Sequence, residues 1–178
     1  TARTLGEFLS AHGASGAPHA EAVVETVVAL ARGAVAIRDA VTLGALGTAF
    51  AGTRGGAAGA GGDIPKDLDL HADALLLDAV RSAPVALYAS EEIEHPILVN
   101  RGAPLAIAAD PLDGSSNIDT NVSIRTIFSV LPTVGVPDSN ALQSFLQPGA
   151  NQLAAGFFVY GPQLALALSV GKGTDIFV

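Results

Sequence analysis

Residues 105–119 read Leu105-Ala106-Ile107-Ala108-Ala109-Asp110-Pro111-Leu112-Asp113-Gly114-Ser115-Ser116-Asn117-Ile118-Asp119. The first five are small or apolar and read as a buried strand, Leu105–Ala109, that ends in Asp110. Proline at 111 cannot donate to a ladder, so it predicts the end of that strand and a turn that lets Asp110 and Asp113 converge. Gly114-Ser115-Ser116-Asn117 follows at once. Glycine lets backbone come close to a ligand, and successive N–H groups with two hydroxyls make an anion cradle.

A second carboxylate-bearing strand end lies upstream. Val85–Ser90 reads as a strand that delivers Glu91 and Glu92 at its end. Four ionised carboxylates brought together would raise one another's pKa, a conflict that divalent cations resolve. Carboxylates without cysteine select Mg²⁺, with Mn²⁺ as the alternative, over Zn²⁺. Metal ligands joined by a tight turn to a phosphate cradle are what metal-assisted phosphoryl transfer needs. Taken singly, an Asp-Pro-x-Asp-Gly run is more often a surface turn and a Glu-Glu pair more often faces solvent. His12, His19, His71 and His95 have no ligand-like spacing, and Ser115 has no evident partner base for a nucleophilic role.

Charge points the same way. The net charge of −8 arises within Asp63–Asp119, which holds eleven of the seventeen acids and three basic residues; the rest of the chain is balanced. Such a cluster repels nucleic acid and disfavours anionic membranes, so neither is expected as a partner. The 178 residues suffice for one domain with a core, and 49% of them are apolar. With no cysteine, disulfides, thiolate metal sites and cysteine nucleophiles are excluded. No stretch resembles a signal peptide, and a cytoplasmic enzyme is the simplest expectation.

Further out, residues 1–18 lack periodicity and read as a loose arm. From His19 to Val41, apolar Val23, Val27, Leu30, Ala34, Ile37 and Val41 step by three and four, one face of an amphipathic helix. The glycine-rich run Thr53–Gly62 predicts a mobile loop leading into the acidic segment. A second helix is expected from about Asp67–Asp69 to Arg81, with both aspartates in its first turn. Strands are expected at Ser123–Leu131, Ala154–Tyr160, Leu164–Val170 and Thr174–Val178. Ala154–Val170 is apolar but broken by Gly161-Pro162-Gln163, so it reads as a buried hairpin and not a membrane helix. Helices early and strands late predict a layered α+β fold. The last strand runs off the end uncapped, as though cut in mid-fold.

Across ten residues, Asp110 to Asp119 resembles the signature of the fructose-1,6-bisphosphatases (class 1 type). The shorter Asp-Pro-x-Asp-Gly core is shared with the wider inositol-phosphatase-like superfamily. Gly62-Asp63 through Lys66-Asp67-Leu68-Asp69, Ser90-Glu91-Glu92, Leu146-Gln147-Pro148-Gly149 and Ala154-Ala155-Gly156-Phe157 to Tyr160-Gly161-Pro162 also match. The resemblance runs in order from about Val23 to Val178 and covers the N-terminal half of that family. It implies a layered sugar-phosphatase fold, helices on a mixed sheet, incomplete at its C-terminus, with residues 19–178 as the metal- and 1-phosphate-binding domain.

The activity it implies is Mg²⁺-dependent hydrolysis of the 1-phosphate of fructose 1,6-bisphosphate. A sedoheptulose-bisphosphatase or dual-substrate enzyme is the alternative, as is a silent fragment serving in assembly or regulation. Glu91, Asp110 and Asp113 would bind Mg²⁺ with the Leu112 carbonyl, and Asp63 would share a further metal with Glu91. Asp69 and Glu92 would take the proton of the attacking water, and Gly114, Ser115 and Ser116 would hold the 1-phosphate. A homo-oligomer, a tetramer, is implied too. Two departures stand out. Ala20, Val24, Pro104 and Leu105 fall where AMP-inhibited members carry nucleotide-binding residues, and Arg125 stands where glycine is more familiar.

Overall fold

The computed structural model describes residues 3–51, 64–120, 122–135 and 141–178, with side chains described outside 44–51, 64–67 and 118–120. Three helices come first: α1 Leu5–Gly13, α2 Ala20–Ala51 and α3 Ile64–Val80. Seven strands follow: β1 Val85–Ser90, β2 Ile97–Leu98, β3 Leu105–Asp113, β4 Ile124–Pro132, β5 Ala154–Tyr160, β6 Leu164–Ser169 and β7 Asp175–Phe177. They form one mixed sheet in the order β2-β1-β3-β4-β5-β6-β7. Among the described strands, only the β1–β3 pair is parallel. This is the layered α+β arrangement expected.

The helices cover one face of the sheet. Val23, Val27, Leu30, Ala34 and Ile37 of α2 are wholly buried, with Val41 partly so. They share a core with Leu76 and Val80 of α3 and with Ile107, Phe128, Phe158 and Leu168 of the sheet. Burying each of the larger aliphatic side chains contributes about 1.5–3 kcal/mol, so this stripe fixes the helix layer firmly. Gly156 lies opposite Phe128 on the same face. A Cβ there would stand 2.4 Å from the Ala167 carbonyl oxygen and 3.0 Å from the Phe128 ring, so only glycine fits.

The other face of the sheet is open along its middle. Ile127 and Phe157 remain 40% and 42% exposed, bordering a shallow groove of about 560 Å³ with Ala108, Asp110 and Ser129. Position 110 thus stands beside an uncovered apolar surface, which lowers the local dielectric around its carboxyl group.

Three elements differ from expectation. Residues 5–13 form a helix within the stretch read as a loose arm. Thr4 and Glu7 build a reciprocal capping box at its start, while Phe8 and Leu9 are buried. Helix α3 starts at Ile64, so position 67 is fourth and Asp69 sixth, beyond the first turn. The short β2 pairs with Leu87 and Tyr88 and is too brief to leave a periodic signature. The Ala154–Val170 segment is the expected antiparallel hairpin. Among the described residues no helix is long and apolar enough to cross a membrane. The stretch Thr53–Gly62, expected to be a mobile loop, lies outside them.

Candidate active site

Because β1 and β3 run parallel with Ser90 opposite Ala109, their ends set Glu91 beside Asp110. The Glu91 amide continues the ladder by donating to the Ala109 carbonyl at 3.1 Å. Carboxylates at neighbouring parallel strand ends form a crevice of the kind in which open α/β sheets bind ligands.

Pro111 does not end β3. The strand passes through it to Asp113, and the register against β4 shifts: Asp110 faces Ile127, yet Asp113 faces Arg125. Two residues, Pro111 and Leu112, therefore stand against one, Thr126, which is a β-bulge. Proline is tolerated there because the bulge asks for no ladder donor. Side chains alternate faces with period two, so residues three apart would otherwise point oppositely. The bulge resets the phase and puts Asp110 and Asp113 on the same open face. Thr126 secures it: its buried hydroxyl donates to the Pro111 carbonyl at 2.7 Å and also meets the Tyr160 hydroxyl.

The electrostatics follow from this crowding. Partial burial pushes the Asp110 carboxyl up to about 7, with a hydrogen bond to Glu91 and the charges of Glu91 and Asp113 acting in the same direction. The Leu112 amide, which donates to Asp110 Oδ1 at 3.1 Å, opposes the rise. Asp113 is paired with the Arg125 guanidinium, whose Nε donates to its Oδ2.

Asp69, on α3, reaches the same end of the sheet. Ser115 Oγ donates to its Oδ2 at 3.0 Å, while Oδ1 is buried with no partner among the described residues. Burial raises its pKa, and the charge of Glu91 adds to the rise against the Ser115 hydrogen bond. Ser115 follows the turn at Gly114, whose φ of +83° is left-handed and whose carbonyl accepts from the Asn117 amide at 2.8 Å. Ser116 is exposed, and the Glu92 amide donates to Ser90 Oγ at 3.1 Å.

Residues 3–178 match the family model described as "Fructose-1-6-bisphosphatase, N-terminal domain". The chain belongs to the fructose-1,6-bisphosphatase family. It is 56% identical over 175 residues to the class 1 fructose-1,6-bisphosphatase of Rhizobium meliloti (strain 1021), covering 98% of this chain and 50% of that protein. The Sinorhizobium medicae (strain WSM419) enzyme of the same name is 54% identical over 97% of this chain and 50% of its own length. In structure, the chain is similar to Leishmania major fructose-1,6-bisphosphatase in apo form, with TM-score 0.75, 27% identity, and 99% and 52% of the two chains covered. The holo form gives TM-score 0.72 and 25% identity over 99% and 50%. The chain spans about half the length of the relatives it matches.

Of the positions that the family resemblance singled out, Asp69, Glu91, Asp110, Asp113 and Ser115 converge at one end of the sheet. Asp63 lies outside the described residues. The Leu112 side chain is buried in the helix-side core, which anchors the bulge from beneath. Among the described residues no group of three or more His, Cys, Asp or Glu side chains is arranged so that it could hold a metal ion. The donors nevertheless suit a divalent cation. Glu91 and Asp110 are hard oxygen donors side by side, Asp110 holds its proton unusually tightly, and Asp69 Oδ1 has no partner among the described residues.

Supporting residues went unread in the sequence. The Tyr88 hydroxyl donates to Asp73 at 2.8 Å, a buried pair tying β1 to α3 beneath the site. Thr126 and Tyr160 brace the bulge. Arg125, which had no account in sequence terms, is the partner of Asp113. Tyr88 and Thr126 sit on helix-facing positions of their strands, where a polar group needs a mate. That was the available signal.

Proposed function

We propose that the protein is a Mg²⁺-dependent phosphatase that removes the 1-phosphate of fructose 1,6-bisphosphate. The observation that supports this best is the bulge in β3, which turns Asp110 and Asp113 to one face beside Glu91, next to Ser115 and Asp69. Glu91, Asp110, Asp113 and the Leu112 carbonyl hold Mg²⁺, with Mn²⁺ able to substitute, and Asp63 adds to the set. The bound cation supplies charge neutralisation for the phosphate and lowers the pKa of water.

The chain's own residues do the rest. The Gly114 turn and the Ser115 and Ser116 hydroxyls orient the 1-phosphate. Asp69 accepts a proton from the attacking water: its raised pKa makes its carboxylate a stronger base than an ordinary aspartate's. Ser115, bonded to Asp69, links phosphate position to base position. Glu92, following Glu91, is the second proton acceptor. Self-association to a tetramer and a cytoplasmic setting belong to the same reading, the first checked by sedimentation.

The test is phosphate release by the full-length protein from fructose 1,6-bisphosphate and sedoheptulose 1,7-bisphosphate, with Mg²⁺ and with chelator. Release from the fructose substrate that chelator abolishes is the expected result. Release indifferent to chelator contradicts the proposal. Equal or better turnover of the sedoheptulose substrate contradicts its substrate assignment.

A further inference from the structure

We infer that the Arg125 guanidinium is an internal counter-ion of Asp113 that competes with a divalent cation for that carboxylate. The inference rests on the reading of Asp113 as a cation ligand.

The β-bulge that turns Asp113 onto the open face also sets it directly opposite Arg125 on β4, and directly opposed residues in a sheet share a face. Arg125 Nε donates to Asp113 Oδ2. That oxygen cannot serve a guanidinium and a hard cation at once at full strength. A charge of +1 beside a charge of +2 at contact distance is repulsive even where solvent screens it. The Asp113 side chain is 28% exposed and that of Arg125 55%. The carboxylate is therefore held at the site, while the arginine reaches it from the solvent side on a long, flexible stem. It can swing away without disturbing the strand.

Two consequences follow. Without metal, Arg125 offsets the charge of Asp113, so that carboxylate is tolerated beside Glu91 and Asp110. With metal, a cation between Glu91 and Asp110 meets no counter-ion among the described residues, whereas one that uses Asp113 must displace Arg125. Binding then occurs in two classes, the weaker one being the Asp113 class. Its weakness is set by residue 125.

The experiment is Mn²⁺ titration of the full-length protein, followed by electron paramagnetic resonance and calorimetry, without substrate. Four proteins are compared: wild type, Arg125→Gln, Arg125→Ala and Asp113→Asn. An exposed ion pair amounts to at most about 1 kcal/mol, or about fivefold in affinity, and relief of cation repulsion adds to it. Both Arg125 variants are expected to tighten the weaker class about three- to tenfold and leave the tighter class within about twofold. Asp113→Asn is expected to lose the weaker class. If Asp113→Asn loses it but neither Arg125 variant tightens it, the competition is refuted and the ligand reading stands. If Asp113→Asn keeps both classes unchanged, Asp113 is no ligand and both statements fall.

Discussion

Glu91 and Asp110 stand side by side at the ends of two parallel strands, and partial burial together with the nearness of Glu91 raises the Asp110 carboxyl to about 7. In the absence of cations the crowding favours the protonated form of Asp110 at a place where, in the proposed enzyme, the site would hold metal.

That relationship predicts a pH dependence. The folded-state pKa of Asp110 is raised from its ordinary value of 3.8 to about 7. Between those values the folded chain binds the proton more tightly than the unfolded chain does. This contribution to stability is fully present below pH ~4 and lost as pH rises through ~7. The metal-free melting temperature of wild type should therefore fall relative to that of Asp110→Asn across this interval. Melting curves at several pH values in chelator check it, and parallel profiles would contradict it.

Thr126→Val should loosen the bulge. The hydroxyl it removes serves the Pro111 carbonyl and meets Tyr160, all in buried surroundings. Leaving buried partners unsatisfied costs about 1–3 kcal/mol. Denaturant unfolding should show that loss, together with weaker Mn²⁺ binding because Asp113 is no longer held in phase. A variant within about 0.5 kcal/mol of wild type would mean that the bulge does not depend on this contact.

Gly114→Ala tests the turn. With φ at +83°, a side chain costs about 1–2 kcal/mol in that region, and its Cβ would lie 3.3 Å from Asn117 Nδ2. The expected outcome is modest destabilisation with a clear rise in KM for the sugar bisphosphate. Unchanged KM would remove the turn from phosphate binding.

What could be read beforehand was whatever rests on period and chain order. The α2 stripe from Val23 to Ile37, the strands Val85–Ser90 and Ala154–Tyr160, and the strand-end placing of Glu91 all depend on local patterns of apolar residues. The path of β3 past Pro111 did not. Proline signals a strand end unless a bulge absorbs it, and a bulge is defined by the partner strand, which local sequence does not specify. The pairing of Arg125 with Asp113 has the same origin: it exists only once the register of β3 on β4 is known. Helix α1 was missed because its signal is a capping box and not a stripe.

The most direct test of the mechanism is Asp110→Asn in the full-length protein, with turnover and metal-free melting temperature measured on one preparation. The amide keeps the shape and removes the charge. Turnover at saturating Mg²⁺ is predicted to drop at least about a hundredfold, while the metal-free melting temperature at pH 7 stays level or rises because like-charge repulsion is relieved. An Asp110→Asn protein that melts earlier yet retains most of its turnover would contradict the account, for Asp110 would then be part of the strand and not of the chemistry.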